Sequence, residues 1–493
     1  MSQTLAIFEQ TRTRLQTTEA LVGVVGLGYV GLRLLIAFGE RGFGCLGVET
    51  DAQKVASLAR GCSYLSDLPD EALKRLQATG RLAISMDCAA LARADAILIC
   101  VPTPVHKDKR PDLSHVLKAS ESIGRVLRPG QLVVLESTCY PGTTDDLLRP
   151  LLERESGLAA GRDFWLAFSP ERIDPGNERF PVTKIPKVVG GICTRSTDLA
   201  ALLYSHIVPQ VIRVSSPREA EMSKLIENTF RHVNIALANE LAIAAERLNI
   251  DFWEALMAAS SKPFGFMPFR PGPGVGGHCI PVDPHYLAWK ARECDMSLRL
   301  IETAEEINAA MPRLVVERVV DAVNRRGLSM HQARVLLLGV SYKRGIGDTR
   351  GSPALRIMEL LKSKGAQVRY HDPYVPHLDS NGDLLQSCPL TEQTLASQEC
   401  VVLVTDHDYD LPLVLRASPL LIDTRNAVDG QPGLAGNCVR LWARNGHGAA
   451  ESPAKAAHYD HSLVLGRSEG AAPVGQVPDL PPPPRPAVEA GER

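Results

Sequence analysis

The sequence predicts an α/β protein with two Rossmann-like, doubly wound parallel-sheet domains. A central helical domain joins them, and a disordered C-terminal tail follows. Three observations predict this. A short apolar run, Leu21 to Val25, enters Gly26-Leu-Gly28-Tyr29-Val30-Gly31 and then a helical stretch from Leu32 to Arg41. A second series of apolar runs, starting at Arg334 to Val340, repeats the strand–loop–helix rhythm without the glycine triplet. Between them, from about Glu219 to Leu248, apolar residues recur every three and four positions, the helical period.

The first element is the most specific. Gly26 suits a tight turn, Gly28 leaves room for a pyrophosphate, and Gly31 lets helix pack on strand, with Tyr29 and Val30 between them. The helix N-terminus offers unpaired amides and a positive dipole end to phosphate. A second strand candidate, Cys45 to Val48, ends at Glu49. An acid there accepts from ribose hydroxyls and repels a 2′-phosphate, so the expected cofactor is NAD rather than NADP.

Further strand candidates are Ala96 to Val101, Gln131 to Leu135 and Phe164 to Phe168. Ligands of doubly wound sheets bind beyond the carboxyl ends of the strands. Thr103, Thr138 and Glu171 therefore stand where a cofactor, a water or a substrate would be met. Each threonine is read equally well as a cap or turn residue, and Glu171 alone as a solvated charge.

The helical middle carries Lys224 and Asn228, four residues apart and so on one face. A cation beside an amide donor makes an oxyanion site; the plainer reading is an exposed lysine. Its apolar surface is also a candidate dimer face. The helical pattern is expected through about Met311, broken by Pro271 to Pro284. Four glycines and four prolines in those fourteen positions exclude helix and central strand. This shaped loop holds one thiol, Cys279, with Asp283 four residues on, and Cys279 is the candidate nucleophile. A lone cysteine is more commonly a small buried apolar residue. His278 is its neighbour in sequence, and adjacent residues of an extended segment point apart.

The second α/β unit has strand candidates at Gln367 to Tyr370, Cys400 to Val404 and Leu420 to Ile422, and a helix from Pro353 to Lys364. Its first loop, Tyr342 to Arg350, holds three cations and two glycines, which suits phosphate contact. Beyond about Gly446, Ala, Gly, Ser and Pro dominate; that tail is too poor in apolar residues to fold alone.

Composition narrows the class. The chain has 493 residues, with 54 basic against 56 acidic side chains and a net charge of −2. No overall basic field is present to hold nucleic acid or an anionic membrane. The 11 cysteines form no Cys-x-x-Cys pair, so no metal site is expected, and the odd count suits a reducing cytosol. Residues 1–20 hold no long apolar core, and no membrane-inserting stretch is evident, so a cytoplasmic protein is expected.

With these motifs assembled, the chain resembles the UDP-sugar 6-dehydrogenases, in the family of UDP-glucose and UDP-mannosamine dehydrogenases. Gly26 to Gly31, Val101-Pro-Thr-Pro104, Ser137-Thr138, Ser169-Pro-Glu171, Lys224 to Asn228, Gly276-Gly-His-Cys279 and Gly347-Asp-Thr-Arg350 carry the likeness in family order. Tyr140-Pro-Gly-Thr-Thr144, Asp174-Pro-Gly-Asn177 and Pro263-Phe-Gly-Phe266 are most similar to the branch acting on UDP-N-acetylglucosamine. The resemblance implies a four-electron oxidation of the sugar's primary alcohol to a carboxylate, with two NAD reduced. Cys279 would form a thiohemiacetal and then a thioester, with Lys224 and Asn228 on the oxyanion. Asp283, Glu171 and Thr138 would share the work on waters and protons. It further implies contacts to substrate or cofactor from Arg172, Arg270, Gly276, Lys343, Arg350 and Arg425, and a homodimer or larger homo-oligomer. The domains expected are 1–214 for NAD, 215–312 for the helical middle with the cysteine loop, 313–446 for UDP, and 447–493 for the tail.

Two other readings use fewer of these residues. A non-catalytic NAD-dependent sensor of nucleotide sugars keeps Gly26, Gly28 and Glu49 but needs no thiol. A cysteine acyl hydrolase explains Cys279 but leaves the dinucleotide motif idle.

Overall fold

The structure, a computed structural model, describes residues 3–65, 68–106, 108–172, 174, 182–380, 383–431 and 436–444. Most of the Asp174 to Asn177 motif and the whole of the expected tail lie outside the described residues. By compactness the chain forms two units. One comprises Met1–Glu240 and Pro271–Leu441, the other Leu241–Arg270 and the residues from Trp442 on.

The first unit holds two sheets. Strands β1 (Leu21–Val25), β2 (Gly44–Val48), β3 (Leu82–Ser85), β4 (Ala96–Ile99), β5 (Leu132–Leu135), β6 (Trp165–Phe168), β7 (Lys187–Gly191) and β8 (Val211–Arg213) form the first. Their order is β3-β2-β1-β4-β5-β6-β7-β8. Pairing is parallel except between β6 and β7, where the chain turns back antiparallel with Phe168 opposite Gly190. The reversal from β1 outward, to β2 on one side and β4 on the other, makes the topological switch point at which ligands bind.

Helices α1 (Gln3–Gln16), α2 (Gly31–Glu40), α3 (Ala52–Ala59), α4 (Asp70–Ala78), α5 (Ser114–Gly124), α6 (Arg149–Ser156) and α7 (Thr194–Ser205) surround this sheet. Alternate strand residues serve opposite faces. Val22, Val24, Leu98, Val134 and Trp165 pack with α1, α2 and α7. Ile97, Ile99, Val133, Leu135 and Phe168 pack with α5 and α6. Both faces are covered, which is why the strands read as continuous apolar runs rather than alternating ones. The first twenty residues contribute to this core: Phe8 of α1 meets the Trp165 ring edge-on at 5.5 Å.

Helix α8 (Pro217–Arg247) follows, then α9 (Phe252–Ser260), α10 (Asp283–Arg292) and α11 (Arg299–Arg325). Residue 312, the expected end of the helical middle, is a proline inside α11, and the helix runs on to Arg325. The second sheet consists of β9 (Arg334–Leu338), β10 (Gln367–His371), β13 (Cys400–Leu403), β14 (Leu421–Asp423) and β15 (Cys438–Arg440). All its pairings are parallel, in the order β10-β9-β13-β14-β15. The antiparallel hairpin of β11 (His377–Ser380) and β12 (Asp383–Gln386) leaves it after β10. Helices α12 (Pro353–Ser363), α13 (Glu392–Ala396) and α14 (Leu411–Ala417) complete the set.

Within the smaller unit, Asp251 caps α9, accepting from the amides of Trp253 and Glu254. The Phe252 amide donates to the Trp442 carbonyl at 2.9 Å. No helix among the described residues is long and apolar enough to cross a membrane.

Candidate active site

The glycine turn at the end of β1 has the geometry a dinucleotide needs. Gly26 has φ 85°, and a Cβ there would lie 2.8 Å from the Cys100 carbonyl oxygen. A Cβ on Gly31 would lie 2.0 Å from the Gly26 oxygen, so α2 could not start so close to the turn. A Cβ on Gly28 would meet nothing within 4 Å. Two glycines are thus required by protein packing, and the third faces open space where a phosphate can lie. Val30 begins α2 with no side chain satisfying the first amides. These residues fit NAD, which Gly26, Gly28, Tyr29, Val30 and Gly31 would hold at its pyrophosphate and Glu49 at its ribose.

Glu49 is buried at the end of β2 and accepts from the amides of Leu27 (3.0 Å), Thr50 (2.9 Å) and Asp51 (3.1 Å). Its carboxylate is thereby fixed against the turn. Tyr64, a residue the sequence did not single out, donates to the Leu27 carbonyl.

Three strand ends of the same sheet, those of β4, β5 and β6, carry the loops that follow. The Thr103 and Pro104 carbonyls both accept from the Tyr286 hydroxyl, at 3.0 and 3.1 Å. Tyr286 lies three residues after Asp283, so one helical turn of α10 holds both. Ser137 donates to the Val101 carbonyl at 2.7 Å, placing half-buried Thr138 beside the loop of Thr103. Glu171 is half-buried at the end of β6. Arg172 beside it pairs with Glu227 of α8 at 2.7 Å and donates to the Pro186 carbonyl at 2.7 Å.

Helix α8 supplies Lys224 and Asn228, both buried, on one face. Asn228 donates to Asp283 at 2.5 Å. A buried carboxylate, Glu221, one turn before Lys224, accepts from the amides of Gly142 (2.6 Å) and Thr144 (2.9 Å). It ties the loop beginning at Thr138 to the helix of Lys224. Burial pushes its carboxyl up to about 7.

The cysteine loop closes the arrangement. The Asp283 amide donates to the Cys279 carbonyl at 2.8 Å, the first bond into α10. Burial pushes the Asp283 carboxyl up to about 6, against the Lys224 charge and the Asn228 bond, which pull it down. Cys279 is half-buried, and its thiol is pushed up to about 12 by burial and the Asp283 charge. Lys224 and Arg350 act on it in the opposite sense. The electrostatic neighbours of this sulfur are therefore Asp283, Lys224, Glu171 and Arg350. At rest it is a thiol, although a lysine faces it.

The loop Tyr342 to Arg350 of the second sheet packs on the cysteine loop. Here the glycines have another cause than ligand approach. A Cβ on Gly276 would lie 2.6 Å from the Tyr342 Cβ, and Gly277 (φ 91°) donates to the Arg350 carbonyl at 3.0 Å. Arg350 itself is paired in fork fashion with Asp348, at 2.5 and 2.9 Å. Lys343 pairs with Asp174 at 2.6 Å and Arg344 pairs with Asp408, so all three cations read as phosphate ligands already meet carboxylates. Arg425 donates to the Val404 carbonyl at 2.8 Å and fills the space above Gly272. Arg270 belongs to the smaller unit and is exposed. Asp348, Asp174 and Glu227 lie within quoted motifs and Tyr342 opens the cationic loop, but the sequence assigned none of them a role of its own.

An open glycine turn after β1 and a fixed acid after β2 mark a dinucleotide-dependent oxidoreductase. Residues 20–208 match the NAD binding domain of the UDP-glucose/GDP-mannose dehydrogenase family. Residues 218–310 match the family's central domain, and 336–430 its UDP binding domain. The chain is 39% identical over 360 residues to the UDP-N-acetyl-D-glucosamine 6-dehydrogenase of Pseudomonas aeruginosa, covering 73% of this chain and 84% of that one. The solved UDP-D-ManNAc dehydrogenase of Pyrococcus horikoshii is similar with a TM-score of 0.78 at 31% identity, over 86% of this chain and 99% of that one. A UDP-glucose dehydrogenase of Pyrobaculum islandicum gives 0.76 at 27%, over 86% and 98%. The chain belongs to the UDP-glucose/GDP-mannose dehydrogenase family. It is an NAD-dependent oxidoreductase acting on UDP-sugars.

Proposed function

We propose that this enzyme oxidises the 6-hydroxymethyl group of UDP-N-acetylglucosamine to a carboxylate, in a four-electron reaction through Cys279. NAD bound at the glycine turn would supply the hydride acceptor, one NAD for each of the two oxidations. The remaining steps fall to this chain's side chains. Asp283, ionised above about pH 6, is the base. With the thiol near 12 and the carboxyl near 6, prior deprotonation of Cys279 is steeply unfavourable. Proton transfer to Asp283 therefore accompanies formation of the sulfur–carbon bond at the aldehyde stage. The carbonyl electron pair moves to oxygen, which Lys224 and the second N–H of Asn228 stabilise. After the second oxidation a thioester remains. Water adds to it, Glu171 and Thr138 direct that water, the carbon–sulfur bond breaks, and the acid leaves with Cys279 again a thiol.

The observation carrying this reading is that Asp283, Lys224, Glu171 and Arg350 are the charged groups that act on the Cys279 thiol. The choice of an acetamido sugar is supported by the Pseudomonas aeruginosa relative and by the branch motifs. In this reading residues 1–214 bind NAD, 215–312 carry the cysteine loop and a pairing face, and 313–446 hold the UDP. Arg172, Gly276, Lys343, Arg350 and Arg425 line the substrate or cofactor path, the last three shifting from their present partners, and Arg270 meets the substrate of a neighbouring subunit. The working form is a cytoplasmic homodimer or larger assembly.

Incubation with NAD and a panel of UDP-hexoses tests this. The expected yield is two NADH per UDP-N-acetylglucosamine, with Cys279→Ser forming no acid. One NADH per sugar with free aldehyde would remove the thioester from the mechanism. A faster reaction with UDP-glucose or UDP-N-acetylmannosamine would reassign the sugar.

A further inference from the structure

Behind the loops of Thr138 and Glu171 lies a buried charged cluster that the reaction does not use. Glu136, fully buried at the end of β5, immediately precedes Ser137 and Thr138. Lys187, the first residue of β7, is 5% exposed and pairs with one Glu136 oxygen. The other oxygen accepts from the hydroxyl of Tyr204, a fully buried residue of α7. The Lys187 ammonium lies 5.0 Å from the centre of the Tyr204 ring. It also donates, at 3.1 Å, to the carbonyl of Pro170, the peptide that leads directly into Glu171.

Stability alone does not account for this cluster. Taking an ion pair out of water costs several kcal/mol per ion, and apolar replacements of the same volume are commonly no less stable. What the pair supplies is a fixed point. One ammonium joins the residue before Ser137 and Thr138 to the residue before Glu171. The antiparallel turn of β7 along β6 is what delivers Lys187 to that place, with Ser169 donating to the Val188 carbonyl at 2.8 Å. On its far side Glu171 is followed by Arg172, which is anchored separately to Glu227 and Pro186. Both flanks of Glu171 are thus tethered, one of them through a buried charge.

We propose that Lys187, held by Glu136 and Tyr204, is a positioning residue that sets Glu171 at the thioester for its hydrolysis. It touches neither substrate nor cofactor and acts through the Pro170 carbonyl. The inference rests on the acyl-enzyme reading above. Misplacement of a catalytic group by about 1 Å costs on the order of a hundredfold in rate.

The test uses the full-length protein with NAD and UDP-N-acetylglucosamine. Lys187→Met should keep the first rapid formation of NADH and the KM for sugar, but slow steady-state acid release by about a hundredfold. Intact-protein mass spectrometry should show the sugar acid bound to Cys279, as in Glu171→Gln, and Lys187→Arg should restore release. The double variant K187M/E171Q should be no slower than E171Q alone, because the lysine acts only through that glutamate. Tyr204→Phe, which keeps the ion pair, is read in the same way with a smaller accumulation, and serves if K187M does not fold. Wild-type partitioning in K187M, or in Y204F where K187M does not fold, would overturn the inference while E171Q accumulates acyl-enzyme. No acyl-enzyme in E171Q would overturn the thioester reading instead.

Discussion

At Cys279, proximity to a lysine and readiness as a thiolate turn out to be different properties. Lys224 favours the thiolate, yet burial and the Asp283 charge outweigh it and leave the thiol near 12. In the proposed reaction the nucleophile would therefore be made as the sulfur–carbon bond forms, and Asp283 would control when. Burial is the largest influence on that carboxyl and raises it to about 6, so the basic form is present above pH 6 and lost as pH falls below it. The rate of acid formation should fall about tenfold per pH unit below 6 and level off above it. In Asp283→Asn that acid limb should vanish, with turnover down roughly 10²- to 10⁴-fold. A pH–rate profile of both proteins checks this, and an unchanged limb in the variant would move the base to another residue. Linkage works in the same direction for stability: a carboxyl raised by folding contributes most at low pH, and that contribution declines as pH rises through about 6.

At the scale of the element, the two glycine-rich segments look alike in sequence and differ in cause. In the β1–α2 turn the glycines divide between packing and ligand. Gly31→Ala drives a methyl to 2.0 Å from the Gly26 oxygen and should destabilise the first domain by roughly 3 kcal/mol or more. Gly28→Ala meets no protein atom within 4 Å, so thermal stability should be unchanged while NAD affinity falls at least tenfold. Calorimetric titration beside thermal melting separates the two. Equal loss of stability in both variants would remove Gly28 from the phosphate path. In the cysteine loop the crowding partner is Tyr342 of a loop some sixty residues later in the chain, so its glycines serve the approach of protein to protein.

At the scale of the molecule, α8 connects chemistry to assembly. Lys224 and Asn228 are buried, while Ile226, Phe230 and Leu237 are 55%, 46% and 47% exposed. Large apolar side chains so open to water on one helix mark a face that another protein surface covers. A second copy is the occupant expected. Light scattering behind size-exclusion chromatography should give a mass of two chains or more, and Ile226→Glu with Phe230→Glu should lower it to one. A wild-type monomer at micromolar concentration would end this expectation.

Much was legible in the sequence because its signals are local. A buried parallel strand must be apolar throughout, a dinucleotide turn needs glycine at set spacings, and a loop with four prolines cannot be helix. Those constraints determined the two sheets, the helical middle, the NAD turn and the candidate thiol. The distant partners of charges were decided only by tertiary structure. Arg350 meets Asp348, two residues before it, but nothing near Lys343 in the chain said whether phosphate or carboxylate would meet it, and the fold brings Asp174. Nothing around Lys187 marked it, since it gains its place only when β7 turns back along β6 beside Glu136. Electrostatic energy depends on distance and burial, and both are properties of the folded chain rather than of neighbours in sequence.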